Sequence, residues 1–151
     1  MAAYFFDSSA LAKFYHPEVG TPAVDRIIHA ADSKIRISRL TVVELPSVLA
    51  IKVRTQFISR DDARVFLRQF RHDIISQKFE VFAVREIEFA TAERLIERYA
   101  FDLRLRALDA LQIAVALSLK NQALVDHFVA ADRILLEVAG IEGFSVVNPE
   151  P

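Results

Sequence analysis

Short apolar or β-branched runs alternate along this chain with longer stretches of helical spacing, and several of the short runs end on a carboxylate. That alternation is the signature of an α/β protein with a mainly parallel sheet. Ala3 to Phe6 reads as a buried strand that meets Asp7 at once, and Ser8 or Ser9 can cap a helix reaching Tyr15 before His16 and Pro17 stop it. A helix over Thr21 to Ala31 and a strand over Lys34 to Ser38 follow. Thr41 is then expected to open a helix with Glu44 in its first turn, because Pro46 is tolerated best near a helix start.

Ser59 to Ile75 has apolar positions at Ala63, Phe66, Leu67, Phe70 and Ile74, the spacing of an amphipathic helix. Its other face carries Arg60, Arg64, Arg68 and Arg71, read as a solvated stripe before a phosphate contact. A strand over Phe79 to Val84 and a helix over Glu86 to Tyr99 precede an arginine-bearing connection with Arg104 and Arg106. The most apolar helix, Ala107 to Lys120, takes in Asp109 near its start. His127 to Ala131 forms a strand ending at Asp132, Ile134 to Ala139 a helix closed by Gly140, and Phe144 to Val147 a last strand. Asn148 to Pro151 are expected to fray, and Phe66, Phe70 and Phe89 are expected to pack rather than stack on bases.

The 151 residues suit one domain, 1–151, with no repeat or flexible linker, and 53% hydrophobic content supports a packed core. The absence of cysteine excludes thiol nucleophiles, cysteine zinc sites and disulfides. Nineteen basic and twenty acidic residues nearly cancel, so any nucleic-acid site must be local. The N-terminal stretch lacks the layout of a signal peptide, and Ala110 to Leu119 is shorter than the ~20 residues of a membrane helix. A cytoplasmic protein with no membrane partner is expected.

Four acids carry the functional argument. Asp7 and Asp132 end strands, while Glu44 and Asp109 lie early in apolar helices, so all four are expected at the C-terminal edge of the sheet, where parallel α/β proteins bind ligands. Carboxylates within ~5 Å of one another repel by about 3 kcal/mol per pair at an effective dielectric near 20, which calls for a cation. Oxygen donors without thiols or paired histidine spacing favour Mg²⁺ or Mn²⁺ over Zn²⁺. Such an ion suits hydrolysis of a nucleic-acid backbone. Each acid also has a local reading: Asp7 and Asp132 as helix caps, and Glu44 as half of a capping box with Thr41. Asp109, set in an apolar helix, is the hardest to explain by structure alone. The four histidines show no ligand spacing, and Ser8 and Ser9 lack the glycines of a nucleophile elbow.

The segments Tyr4 to Leu11, Leu40 to Glu44, Leu105 to Gln112 and Phe128 to Arg133 resemble, in order and spacing, the motifs of the PIN-domain family. The resemblance runs from Tyr4 to Val147 and is closest to the VapC-like toxins of type II toxin–antitoxin pairs. It implies a three-layer α/β/α sandwich with about five mainly parallel strands and a Mg²⁺- or Mn²⁺-dependent endoribonuclease activity. It also implies homodimerisation and inhibition by a cognate antitoxin. By position it makes Asp7 and Asp109 direct metal ligands, has Glu44 bind the metal or position its water, and has Asp132 complete the cluster. Ser9 matches a family hydroxyl beside the first acid, and Arg104 and Arg106 could meet RNA. Ala130 departs from the Thr or Ser usual two residues before the fourth acid, which removes a supporting hydrogen bond. Two other readings compete: a catalytically inactive PIN-like module that binds RNA or protein, and a phosphoacceptor domain of receiver type. The receiver type should show adjacent acids after the first strand and a lysine after a later one, and neither is evident here.

Overall fold

A computed structural model describes residues 2–151. Five parallel strands, β1 (Ala2–Phe6), β2 (Ser33–Ser38), β3 (Glu80–Phe82), β4 (His127–Val129) and β5 (Ser145–Val147), lie in the order β3-β2-β1-β4-β5. The chain lays down one half of the sheet outward from β1 and then returns to add β4 on the other side. Adjacent parallel strands therefore have connections leaving in opposite directions between β1 and β4, which opens a crevice at their C-terminal ends.

Seven helices connect these strands: α1 (Ser8–Tyr15), α2 (Thr21–His29), α3 (Arg39–Arg54), α4 (Arg60–Ile75), α5 (Glu86–Tyr99), α6 (Ala107–Asn121) and α7 (Arg133–Ile141). The two-residue period of the strands splits their side chains between two cores. Phe5 stacks on Phe128 and faces α5, α6 and α7. Phe6 and Val129, their immediate neighbours in sequence, face α1, α3 and α4 together with Ile35 and Ile37. The result is the expected sandwich of helices, sheet and helices. No helix among the described residues is long and apolar enough to cross a membrane.

Four local expectations are corrected. The third helix begins at Arg39, capped by the Ser38 hydroxyl on the Leu40 N–H at 3.0 Å, so Thr41 is no cap and Glu44 falls in the second turn. Pro46 is inside that helix, where it cannot donate to the Val42 carbonyl. The last helix runs past Gly140 to Ile141, and the turn into β5 is made by Gly143, whose φ of +99° suits glycine. The third strand, at the edge of the sheet, is only three residues long because its one neighbour, β2, pairs with Glu80 to Phe82 alone.

The C-terminal residues do not fray. Pro149 is buried and Glu150 accepts a 2.8 Å hydrogen bond from the nearly buried Lys13 ammonium. Of the three phenylalanines assigned to packing, Phe70 is fully in the core and Phe66 is half-buried against it. Phe89 stays about half exposed.

Candidate functional site

The end of β1 shapes the first acid. Asp7 is extended, with φ −78° and ψ 169°, and its N–H still belongs to the sheet, donating to Val129 of β4 at 3.0 Å. Its side chain has already turned to the helix: Oδ1 accepts from the Ala10 N–H at 3.0 Å, and the Ser9 hydroxyl lies 2.9 Å from both carboxylate oxygens. Asp7 is almost fully buried, and burial pushes its pKa up to about 7. The Ala10 N–H and Ser9 hydroxyl pull the other way, while the charges of Glu44 and Asp109 add to the rise.

Glu44, from α3, directs Oε1 inward to a 2.9 Å hydrogen bond from Ser8 and a 2.7 Å bond from the Gln112 amide. Asp109, in the first turn of α6, has a mostly buried side chain whose Oδ2 is 3.3 Å from both the backbone N and the Nε of Arg106. Glu44, in the second turn of α3, and Asp109, in the first turn of α6, thus both act by charge on Asp7. Asp132 caps α7, with Oδ1 accepting from the N–H groups of Ile134 at 2.9 Å and Leu135 at 3.1 Å.

Among the described residues, Asp109 alone of the four acids is in an ion pair, and its partner Arg106 is mostly exposed. Arg104 is also exposed, as are Arg60, Arg64, Arg68 and Arg71 on the solvent face of α4. A buried carboxylate that resists ionisation, with two further acids close enough to worsen its plight, forms an all-oxygen donor set with a deficit of positive charge. That chemistry fits a hard divalent cation. Among the described residues no three His, Asp or Glu side chains already stand at the mutual spacing of a metal cage.

The sequence profile of the PIN domain matches residues 4–141, a span that begins inside β1 and includes all four acids. This chain belongs to the PIN-domain family. Its fold is also that of several solved structures. A toxin–antitoxin complex from Klebsiella pneumoniae aligns over 98% of this chain and 99% of that one at 17% identity and a TM-score of 0.63. PAE2754 from Pyrobaculum aerophilum aligns over 98% and 90% at 20% identity and 0.64. FitAcB from Neisseria gonorrhoeae aligns over 97% of each chain at 17% identity and 0.67. Among curated proteins no relative matches significantly.

Two polar residues of this PIN domain have a part the sequence did not suggest. Ser8 was weighed as a cap and set aside as a nucleophile, yet it is buried and bonded to Thr41 and Glu44. Gln112 only closed one of the motif segments, with no role of its own, yet it is buried and reaches Ser8, Thr41 and Glu44. The signal was available: Gln112 follows Asp109 by three residues, which puts both on one helix face. Ala130, where the family often has a hydroxyl, is buried in the core beneath α5 to α7.

Proposed function

We propose that this PIN domain is a Mg²⁺- or Mn²⁺-dependent endoribonuclease and the toxin of a VapC-like toxin–antitoxin pair. The observation that carries the reading is the meeting of three acids remote in sequence, with the charges of Glu44 and Asp109 acting on the buried carboxylate of Asp7. Asp7, Asp109, Glu44 and Asp132 would hold the ion. When bound, the ion supplies a water of lowered pKa and a counter-charge for the phosphodiester under attack.

The protein's own residues have distinct tasks on this reading. Ser9 and the Ala10 N–H keep Asp7 oriented. Asp132 and Asp109 each commit one oxygen to the start of their helix, which leaves the other for the site; capping and ligation are compatible in the same side chain. Arg106, and Arg104 beside it, are exposed near Asp109 and suited to the charge of a phosphate backbone. An RNA substrate, a cognate antitoxin and a second copy of the chain are the partners, and the cytoplasm the place. A toxin–antitoxin complex from Klebsiella pneumoniae and VapBC2 from Rickettsia felis share this fold, which supports the toxin–antitoxin assignment.

The test is incubation of the purified protein with a panel of RNAs in Mg²⁺, Mn²⁺ or EDTA, alongside Asp7→Asn and Asp109→Asn. Cleavage in metal, its loss in EDTA and its loss in both variants with unchanged circular dichroism are expected. Full activity of Asp7→Asn would contradict the reading. RNA bound equally well in EDTA and never cut would mark the inactive binding module instead.

A further inference from the structure

The interior where α1, α3 and α6 meet holds a closed set of hydrogen bonds that local structure does not require. Ser8, Thr41 and Gln112 are each at least nine-tenths buried, and their polar atoms gather around one carboxylate oxygen, Glu44 Oε1. Counting hydrogens fixes the directions. The Gln112 amide nitrogen has two, and its shortest contacts are Glu44 Oε1 at 2.7 Å and Thr41 Oγ1 at 3.0 Å. The Ser8 hydroxyl donates its one hydrogen to Glu44 Oε1 at 2.9 Å, so the 3.1 Å contact between Ser8 and Thr41 must take its hydrogen from Thr41. Every donor is used, and all of them lead toward the same oxygen.

Two consequences follow. The amide cannot be turned over, since that would set its carbonyl oxygen against a carboxylate; in the orientation present, Gln112 Oε1 is buried with no hydrogen-bond partner. A buried acceptor left unpaired is a cost, and it is accepted here so that the nitrogen faces Glu44. Oε1 of Glu44 is also saturated, while no hydrogen bond among the described residues reaches Oε2. One oxygen is held by the protein, and the other is free of protein donors among the described residues.

We infer that Gln112, with Ser8 and Thr41, is a positioning residue that locks Glu44 so that it presents the single oxygen Oε2 to the shared acidic site. Glu44 then meets a cation or its water through one oxygen and not as a bidentate ligand. The inference rests on the metal-dependent reading above. It explains why a glutamine interrupts an otherwise apolar helix surface one turn after Asp109.

The test compares wild type, Gln112→Met, Ser8→Ala, Glu44→Gln and the double variant Gln112→Met/Glu44→Gln. Gln112→Met keeps the length of the side chain and removes the amide, both the donor and the unpaired acceptor, and Ser8→Ala is a smaller change should the first fail to fold. Calorimetric titration with Mn²⁺ is expected to show affinity weakened about 10–100-fold in Gln112→Met. Ser8→Ala should weaken it to a lesser degree, with cleavage by both variants recovering at saturating Mn²⁺. The double variant should bind no more weakly than Glu44→Gln alone. In the metal-free protein, the side-chain amide resonances of Gln112 should move on Glu44→Gln and on Ser8→Ala. Wild-type affinity in folded Gln112→Met, or additive losses in the double variant, would overturn the positioning role while leaving the metal site intact. Absence of Mn²⁺ binding by wild type would overturn both.

Discussion

The backbone N–H of Asp7 donates to the carbonyl of Val129 across 3.0 Å, tying the last turn of sheet in β1 to the end of β4 before either chain leaves for its helix. This bond places the first acid at the point where the strand order reverses and buries its carboxylate there.

Burial of Asp7 makes stability depend on pH in a definite direction. Its pKa is raised from 3.8 to about 7, so between those values the folded protein holds a proton that the unfolded chain has released. Without metal, the contribution of Asp7 to stability should therefore be greatest below about pH 4, fall as pH rises toward 7 and level off above. That contribution is opposite in sign to that of Glu18 and Glu88, whose lowered pKa values favour the folded state at higher pH. The full effect is at most about 4 kcal/mol. Asp7→Asn keeps a good capping residue and removes the charge, so in EDTA at pH 8 it should be more stable than wild type by about 1–4 kcal/mol and equal to it near pH 4. Urea melts across this range check it. A variant less stable than wild type at pH 8 would show that the burial cost is met by something else.

Asp132 can be divided into its two roles. Asp132→Ala removes the acceptor for the Ile134 and Leu135 N–H groups and should lower stability by about 1 kcal/mol. Asp132→Asn retains the cap and should stay within about 0.5 kcal/mol of wild type. Loss of RNA cleavage in Asp132→Asn with an unchanged melting temperature would assign the charge to the site. Equal activity of wild type and Asp132→Asn would reduce Asp132 to a cap.

Tyr15 donates a 2.6 Å hydrogen bond to Asp73, which is buried and otherwise held by Gln69. Burial and then the Asp73 carboxylate push the Tyr15 hydroxyl far above its usual pKa, so it remains a donor at every workable pH. Tyr15→Phe should cost about 1–3 kcal/mol, because it strips a partner from a buried carboxylate. It should leave Mn²⁺ affinity unchanged, and thermal melts with a parallel titration would read both quantities.

The tail contributes to stability through Lys13. Burial opposes the charge of that ammonium, and Glu150 with Glu18 more than offsets it, so the pKa is raised. A Cβ on Gly20 would lie only 3.3 Å from the Pro149 backbone, a measure of how closely the tail packs. Removal of Pro149 to Pro151 should cost about 1.5–3 kcal/mol by leaving Lys13 with fewer partners, and Glu150→Gln should cost less. Chemical denaturation curves for the two would separate the charge from the packing, and an unchanged midpoint for the truncation would mean the tail is idle.

Which segments are helix or strand was legible because apolar period and punctuation are local. Glu86–Tyr99 emerges with the bounds its spacing implied, since Glu86 and Tyr99 end an amphipathic pattern between loop residues. The start of α3 was misread because Thr41 and Glu44 imitate a capping box, whereas Ser38 serves as the cap where it leaves β2. Asn148 to Pro151 looked loose because nothing nearby in sequence holds them; Lys13 does, from the far end of the chain.

By itself the sequence determined the layers: residues that alternate along β1 and β4 must fill two cores, and an acid after an apolar strand must stand at its C-terminal end. Only the tertiary structure decided which of those acids feel one another. Coulomb coupling and hydrogen-bond direction depend on distances of a few ångströms between elements far apart in the chain. The bond of Gln112 to Glu44, and the charges of Glu44 and Asp109 on Asp7, are therefore properties of the packed molecule, since each joins helices far apart in the chain.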